Sequence, residues 1–283
     1  MRLIKSKVEL INQGSSIEDI YRHIELCGRV CYKSEDKITP DSAKEFVDRM
    51  IKSGHGAMLE HGTVYLTIPL QSEEFRKYIM NPYSKVVAVT LDNDDSNAYI
   101  TTNYRVLVEN NWLDDLQYMC EPTEFHEKRI TVKWTCDRVT GESFLRHRVF
   151  SFARESTRYC NYSRDKFGNE LTFIIPSWLS WDEQVIHRRD FEKSGSGSED
   201  SKLFIDLLLN SEDCYLSLLE EGWKPQEARQ VLPFCIKSPL IMTGFRSDWD
   251  HFFELRCAKN AHPDAQKLAN ELKDMIDGSK EVR

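Results

Sequence analysis

The stretch Arg146-His147-Arg148-Val149-Phe150-Ser151-Phe152-Ala153-Arg154-Glu155-Ser156-Thr157-Arg158-Tyr159 gathers four arginines, a histidine, a carboxylate, two serines, a threonine and a tyrosine into fourteen residues. Guanidinium groups at this density repel one another, and any that are buried must be paired. Most charge runs are solvated faces. Two features favour an anion pocket here. Val149, Phe150, Phe152 and Ala153 interleave the charges and draw part of the stretch inward, and the densest basic cluster sits in a chain of formal net charge −8. A phosphate is the simplest anion, since arginine offers its oxygens a bidentate fork.

Other residues capable of chemistry lie far along the chain. Gly54-His55-Gly56-Ala57-Met58-Leu59-Glu60-His61-Gly62 places two histidines and a glutamate between a helix and a strand. Its H-x4-E-H spacing matches no zinc-protease helix, whose ligands lie one turn apart, so a structural role is favoured over metal binding. Arg229 precedes Leu232-Pro233, and His251 and Arg256 fall in an aromatic-rich segment with Trp249, Phe252, Phe253 and Leu255. An arginine on such a face either snorkels to solvent or turns its charge towards a ligand. Cysteines stand at 27, 31, 120, 136, 160, 214, 235 and 257. The closest pair, Cys27 and Cys31, has no second pair beside it, which argues against zinc and for reduced thiols in a cytoplasm.

Apolar periodicity supplies the elements that must hold these groups. Helices are expected over residues 17–32, over a segment capped by Thr39 with Pro40 at its first position, from Pro225 through Arg229, and over residues 248–258. Gly54 ends the second of these. Residues 203–219 read as the strongest amphipathic helix, stopped by Gly222, and residues 264–277 as a polar terminal helix. Strands are expected at 63–70, 130–136 and, short and buried, at 171–176. Residues 85–104 read as two β-like runs around the polar turn at 92–97, and residues 110–125 are compatible with a helix. Residues 161–169 are polar, and 193–200 form a low-complexity surface loop within one domain covering 1–283.

Hydrophobic residues at 40% and charged residues at 30% describe a soluble globular chain with no internal repeat. No apolar run approaches the roughly 20 residues of a membrane span, and no secretory leader is evident. The acidic balance and the lack of an aromatic and basic face disfavour a nucleic-acid-binding module.

Arg146-His147-Arg148 followed after seven residues by Ser156, with Arg158-Tyr159 beyond, resembles the signature of the flavin-dependent thymidylate synthases. Three more segments fall in that family's order. Gly54-His55 with Glu60-His61 resembles its flavin-contacting loop, and Ala228-Arg229-Gln230-Val231-Leu232-Pro233 its Ala-Arg-x-x-Leu-Pro element. Phe252-Phe253-Glu254-Leu255-Arg256, with Ala265-Gln266 after it, resembles the helix ending in the arginine that activates the pyrimidine. The likeness covers most of the chain and is weakest at 84–130 and 193–200.

The resemblance implies an α/β (α+β) fold with a mixed central sheet flanked by long helices, assembled as a homotetramer with flavin sites between subunits. The implied reaction is methylation of dUMP to dTMP, with carbon from methylenetetrahydrofolate and hydride from NADPH-reduced FAD. No enzyme cysteine attacks the pyrimidine in that family, and only Cys160 has an activating neighbourhood in the sequence. Arg256 would be catalytic. Ser143, Arg146, Arg154, Glu155, Ser156, Thr157, Arg158, Arg229 and Arg256 would bind dUMP. His55, Ala57, Glu60, Arg146, His147, Arg148, Arg154 and His251 would hold FAD. The chain departs from the family where Ala153-Arg154 replaces asparagine and glutamate, with Glu155 one step later. It departs again at Ser143 (glutamine or glutamate), Ala57 (threonine), and His251 and Phe245 (asparagine). A homologous flavin- or nucleotide-binding protein that has lost methyl transfer is therefore the alternative.

Overall fold

The computed structural model describes residues 1–90, 96–163, 170–194 and 198–278. Its strands are β1 (Arg2–Ile4), β2 (Lys7–Ile11), β3 (Thr63–Pro69), β4 (Lys85–Val89), β5 (Asn97–Asn103), β6 (Arg129–Thr135), β7 (Ser151–Arg154), β8 (Thr172–Ile174), β9 (Gln184–Val185) and β10 (Leu240–Phe245). The helices are α1 (Ile17–Tyr32), α2 (Ser42–Lys52), α3 (Gly56–Leu59), α4 (Arg76–Ile79), α5 (Tyr104–Glu109), α6 (Arg138–Phe144), α7 (Arg188–Ser194), α8 (Glu199–Glu220), α9 (Pro225–Ala228), α10 (Arg246–Arg256) and α11 (Pro263–Gly278).

The strands form three sheets, ordered β2-β6-β10-β7, β8-β1-β9 and β3-β5-β4. This is an α/β architecture in which the four-stranded sheet is antiparallel throughout, with Met242 opposite Val132 on one side and Phe152 on the other. The parallel pair, β1 with β8, lies in a side sheet.

Strand alternation decides what each face of the four-stranded sheet meets. Ile130, Val132, Trp134, Leu240 and Met242 join Trp249 and Phe252 of α10 and Leu268 and Leu272 of α11 in one core. Burying each such large apolar side chain contributes roughly 1.5–3 kcal/mol. The intervening residues turn the other way. Ile241 and Ala153 pack with Cys27 and Val30 of α1, and the Thr131 hydroxyl bonds the His23 ring at 3.1 Å. The signature strand β7 is thus the edge of a sheet clamped between α1 and the α10–α11 pair.

Several elements match the sequence pattern. Helix α1 spans the expected residues, capped by the Ser16 hydroxyl, which accepts from the Asp19 amide at 3.1 Å. Strands β3, β6 and β8 overlap the stretches 63–70, 130–136 and 171–176 expected to be strands, and β4 pairs antiparallel with β5. The turn between them at 91–95, the polar stretch at 164–169 and the loop centre at 195–197 lie outside the described residues.

Other boundaries differ. Helix α2 starts at Ser42 rather than at Pro40, because the Ser42 hydroxyl accepts from the Thr39 amide at 2.9 Å and closes a preceding turn. In the 110–125 region only a short 3₁₀ turn forms, Leu113–Tyr118, since Asn111 takes a left-handed φ of 58°. Helix α8 is less cleanly amphipathic than its leucines suggested, with Leu203 and Leu207 exposed. Helix α11, read as polar, buries Ala265, Leu268, Ala269, Leu272 and Ile276. Among the described residues no helix is long and apolar enough to cross a membrane.

Candidate functional site

The signature begins where α6 ends. Asp137 caps that helix, accepting from the Thr140 amide at 2.8 Å and its hydroxyl at 2.7 Å. Two successive turns follow, the His147 amide donating to the Phe144 carbonyl at 3.1 Å and the Phe150 amide to the His147 carbonyl at 3.2 Å. They bury the His147 ring and Phe150 while Arg146 and Arg148 remain exposed. Neither arginine makes an ion pair among the described residues.

Arg256, at the last turn of α10, reaches this turn. Its Nε donates to His147 Nε2 at 2.9 Å, and a second N–H donates to the Ser143 carbonyl. Burial, and then the Arg256 charge, hold the His147 imidazole down to about 4. A neutral ring is what the contact requires, since Nε2 must accept. Burial followed by the nearby Arg146 charge lowers the Arg256 guanidinium too. His251 lies beside them, its ring centroid 6.3 Å from that of His147 and its Nδ1 3.2 Å from Glu254 Oε2. Ser143, Arg146, His147, His251 and Arg256 therefore form one group.

A second group lies past β7. Arg154 Nη1 meets Glu142 Oε1 at 2.7 Å, Nε meets Ser238 Oγ at 2.8 Å, and Nη2 meets the Arg138 carbonyl at 3.2 Å. Glu155 turns inward. It is 4% exposed and accepts from the Tyr162 hydroxyl at 2.6 Å. Its amide bonds the Pro239 carbonyl at 3.0 Å, and the Ser156 amide bonds the Cys31 carbonyl at 2.9 Å, which pins the loop to both β10 and the end of α1. Pro225 starts α9, and Arg229 follows as its C-terminal cap rather than within it. From there Arg229 Nη1 donates to Thr157 Oγ1 at 3.3 Å. Arg158 Nε bonds Gln226 at 3.2 Å, with its guanidinium 5.3 Å from the Tyr159 ring centroid.

The third group is the loop around α3. His55 and Ala57 are exposed beside a cleft lined by Cys31, Tyr32, Met50, Met58 and Arg105. Glu60 pairs with Arg105. His61 is different: fully buried, it bonds Thr243 Oγ1 at 2.8 Å and lies inside the fold. The third group meets the second through Tyr32 and Tyr159, whose ring centroids are 5.6 Å apart. Ser143 and Glu142, adjacent on α6, join the first group to the second.

Arg105, Arg138, Tyr162, Lys237 and Ser238 belong to these groups without belonging to any motif, and Lys33 stands with them. Arg138 is lowered by burial and by Arg154, with Arg229 also acting on it. No spacing rule singles out these residues in the sequence. All eight cysteines are free thiols, and Cys160 is buried. Among the described residues, no cluster of His, Cys, Asp and Glu could hold a metal ion.

The arrangement sets arginines held by Ser143, Ser238, Glu142 and Thr157 near a cleft lined by Tyr32, His55 and Arg105. A flavin fits the donor set. Exposed Arg146 and Arg148 suit a diphosphate, and the cleft at His55 with Tyr32 suits a flat ring.

Residues 86–278 match the family described as thymidylate synthase complementing protein. The flavin-dependent thymidylate synthase of Geobacter sulfurreducens is 27% identical over 141 residues, covering 50% of this chain and 53% of that protein. That of Pyrococcus abyssi is 27% identical over 148 residues, covering 52% and 54%. That of Corynebacterium aurimucosum is 21% identical over 266 residues, covering 92% and 76%. The chain spans about half the length of the first two relatives. A UMP/dUMP methylase from Streptomyces cacaoi, crystallised with 5-Br UMP, aligns over 97% of this chain and 90% of its own at 17% identity, with a TM-score of 0.45.

Proposed function

Because this chain belongs to the thymidylate synthase complementing protein family, we propose that it methylates dUMP to dTMP, using FAD as resident cofactor. Methylenetetrahydrofolate supplies the one-carbon unit, and NADPH supplies the hydride that leaves it as a methyl group. The C5 proton of the pyrimidine is released, and tetrahydrofolate and NADP⁺ are the other products. The observation that carries this reading is the meeting of Arg256 with His147 at 2.9 Å, which joins the last motif to the first half of the signature.

In this reading Arg256 faces the uracil and stabilises negative charge as N3 ionises and C5 becomes nucleophilic. A cation already anchored on two acceptors meets that charge without reorganising. Arg146, Arg154, Arg158 and Arg229 orient the nucleotide, partly through its phosphate, and Ser143, Glu155, Ser156 and Thr157 stand beside them. Glu155 acts from within, through Tyr162. His55, Ala57, Glu60, Arg146, His147, Arg148, Arg154 and His251 are the residues that hold FAD. The bound flavin supplies the redox step, and the chain supplies position and field.

The reading extends to a cytoplasmic homotetramer of single-domain subunits with flavin between them. Arg146 and Arg148, exposed and in no ion pair among the described residues, support a ligand or subunit beyond this surface. One observation favours a second reading, a nucleotide-binding homologue without methyl transfer: Arg154 stands where the family carries glutamate and is tied to Glu142 and Ser238. Tritium release from C5-labelled dUMP, dependent on NADPH and methylenetetrahydrofolate, separates the two. Flavin-loaded protein that binds dUMP but releases no tritium would leave only the second.

A further inference from the structure

Arg129 opens β6, the strand that runs between the histidine loop and the signature, and it belongs to no motif. It pairs across the sheet with Phe245, whose ring centroid lies 5.6 Å from its guanidinium. Phe245 is one of the positions at which this chain departs from the family, and its ring gives the cation a face to lie against. The Arg129 amide donates to the Tyr65 hydroxyl at 3.4 Å. Its Nε is buried and meets no partner among the described residues. The side chain makes no ion pair among them either, and the Glu60 carboxylate is taken by Arg105 instead.

The guanidinium reaches a carbonyl and two hydroxyls. Nη1 donates to the Glu60 carbonyl at 3.0 Å and to Thr63 Oγ1 at 3.3 Å, and Nη2 stands 3.5 Å from Ser151 Oγ. Glu60 closes the turn of α3, and Ser151 is the first residue of β7 within the signature. One side chain thus spans two motifs from a strand that carries neither. A guanidinium drawn from water without a carboxylate costs free energy, and an apolar side chain of similar length would pack there without that cost. Stability alone therefore gives no reason for a cation here, whereas the acceptors it fixes do.

The neighbouring residues have anchors of their own. Gln13 Oε1 accepts from the Thr63 amide at 2.9 Å, its Nε2 donates to the Thr63 carbonyl at 2.7 Å, and His61 bonds Thr243 at 2.8 Å. We infer that Arg129 is a positioning residue of the flavin site, fixing the turn from Glu60 to Thr63 against the signature strand and so setting where the His55–Glu60 loop meets the cofactor. This rests on the reading that this loop holds FAD. Loss of Arg129 loosens the turn and leaves the sheet in place.

The test follows flavin leaving the holoprotein on dilution, read as the return of flavin fluorescence, and the visible circular dichroism of the flavin that stays bound. Arg129→Met weakens FAD about tenfold or more, the scale of hydrogen bonds to a charged group, and changes the dichroism at saturating FAD. Arg129→Lys keeps the charge but offers an ammonium in place of the fork, so it restores part of the affinity. Gln13→Ala, which loosens Thr63 without touching Glu60, lowers the urea midpoint and leaves FAD affinity and dichroism at the parent's values. Parent affinity in Arg129→Met, or an equal loss in Gln13→Ala, overturns the positioning role and leaves the methylation reading standing. Where Arg129→Met does not fold, parent affinity in Arg129→Lys overturns the role in the same way. A parent that retains no flavin at any concentration of added FAD overturns both.

Discussion

Arg256 and His147 are 109 positions apart in the chain and 2.9 Å apart in the fold, Nε of the arginine donating to Nε2 of the histidine. The same guanidinium donates to the Ser143 carbonyl. Two acceptors thus fix the plane of the fork. The core beneath supplies the reason for the meeting: the Phe252 ring, one turn before Arg256, packs with its centroid 5.0 Å from that of His147 and, edge-on, 5.2 Å from that of Phe144. A change at either partner therefore propagates to the other.

Arg256→Ala is expected to abolish tritium release from C5-labelled dUMP while leaving the flavin absorbance of the purified protein intact. Unchanged turnover would remove Arg256 from the chemistry. Burial is the larger cause of the low His147 pKa of about 4, and loss of the neighbouring Arg256 charge raises it part of the way towards its ordinary value. A histidine titration by NMR reads that shift independently of activity. Arg256→Lys does not restore turnover, because a single ammonium cannot reproduce the planar fork on two acceptors.

Arg229→Ala is expected to weaken dUMP binding by about tenfold or more, the scale of one charge-assisted hydrogen bond. Arg229 makes one hydrogen bond among the described residues, to Thr157 at 3.3 Å, so its removal leaves no buried carboxylate unpaired and stability little changed. A titration returning the parent dissociation constant would contradict its placement at the nucleotide.

Legibility followed the physical period of each signal. Helix α1 and strand β6 were readable because apolar residues recur at 3.6 or 2 residues, and β8 because its short apolar run ends at a proline. The arginine motifs were readable because their spacing is local to each segment. What joins the segments was not. Tyr162 lies just outside the signature, and nothing local says that its hydroxyl turns back to Glu155. Lys33, Arg138 and Lys237 arrive through a helix cap, a first helical turn and a loop before β10, connections that exist only in three dimensions. His61 shows the converse. It stands beside Glu60 in the flavin-loop resemblance, yet the end of α3 turns it under the sheet to Thr243, in keeping with the structural role favoured for a histidine on this loop.

Tyr162→Phe is expected to destabilise the protein by about 1–3 kcal/mol, since it leaves the Glu155 carboxylate buried without its 2.6 Å donor. Urea unfolding at neutral pH measures it. Glu155→Gln keeps an acceptor for the hydroxyl and costs less. If the two variants match the parent in midpoint, the pair does not hold the loop in place, and Glu155 is free to serve the ligand directly.

A buried polar chain predicts acid sensitivity. His23 Nε2 meets Thr131 Oγ1 at 3.1 Å, Thr131 meets Thr243 at 2.8 Å, and Thr243 meets His61 Nδ1 at 2.8 Å. Burial first, and the Arg129 charge with it, lower His23 to about 4; burial, then His23 and Arg129, lower His61 to about 3. In the unfolded chain both titrate near ~6.5. Between these values the unfolded state binds protons that the folded state refuses. Stability is therefore flat above pH ~6.5 and falls below it, by about 1.4 kcal/mol per pH unit for each histidine. Unfolding free energies at pH 7, 6 and 5 should decline on this slope, and His23→Gln, which has no proton to gain, should make the decline shallower by one histidine's share. A variant with the parent's slope would show that His23 is protonated inside the fold, and the neutral chain from His23 to His61 would have to be abandoned.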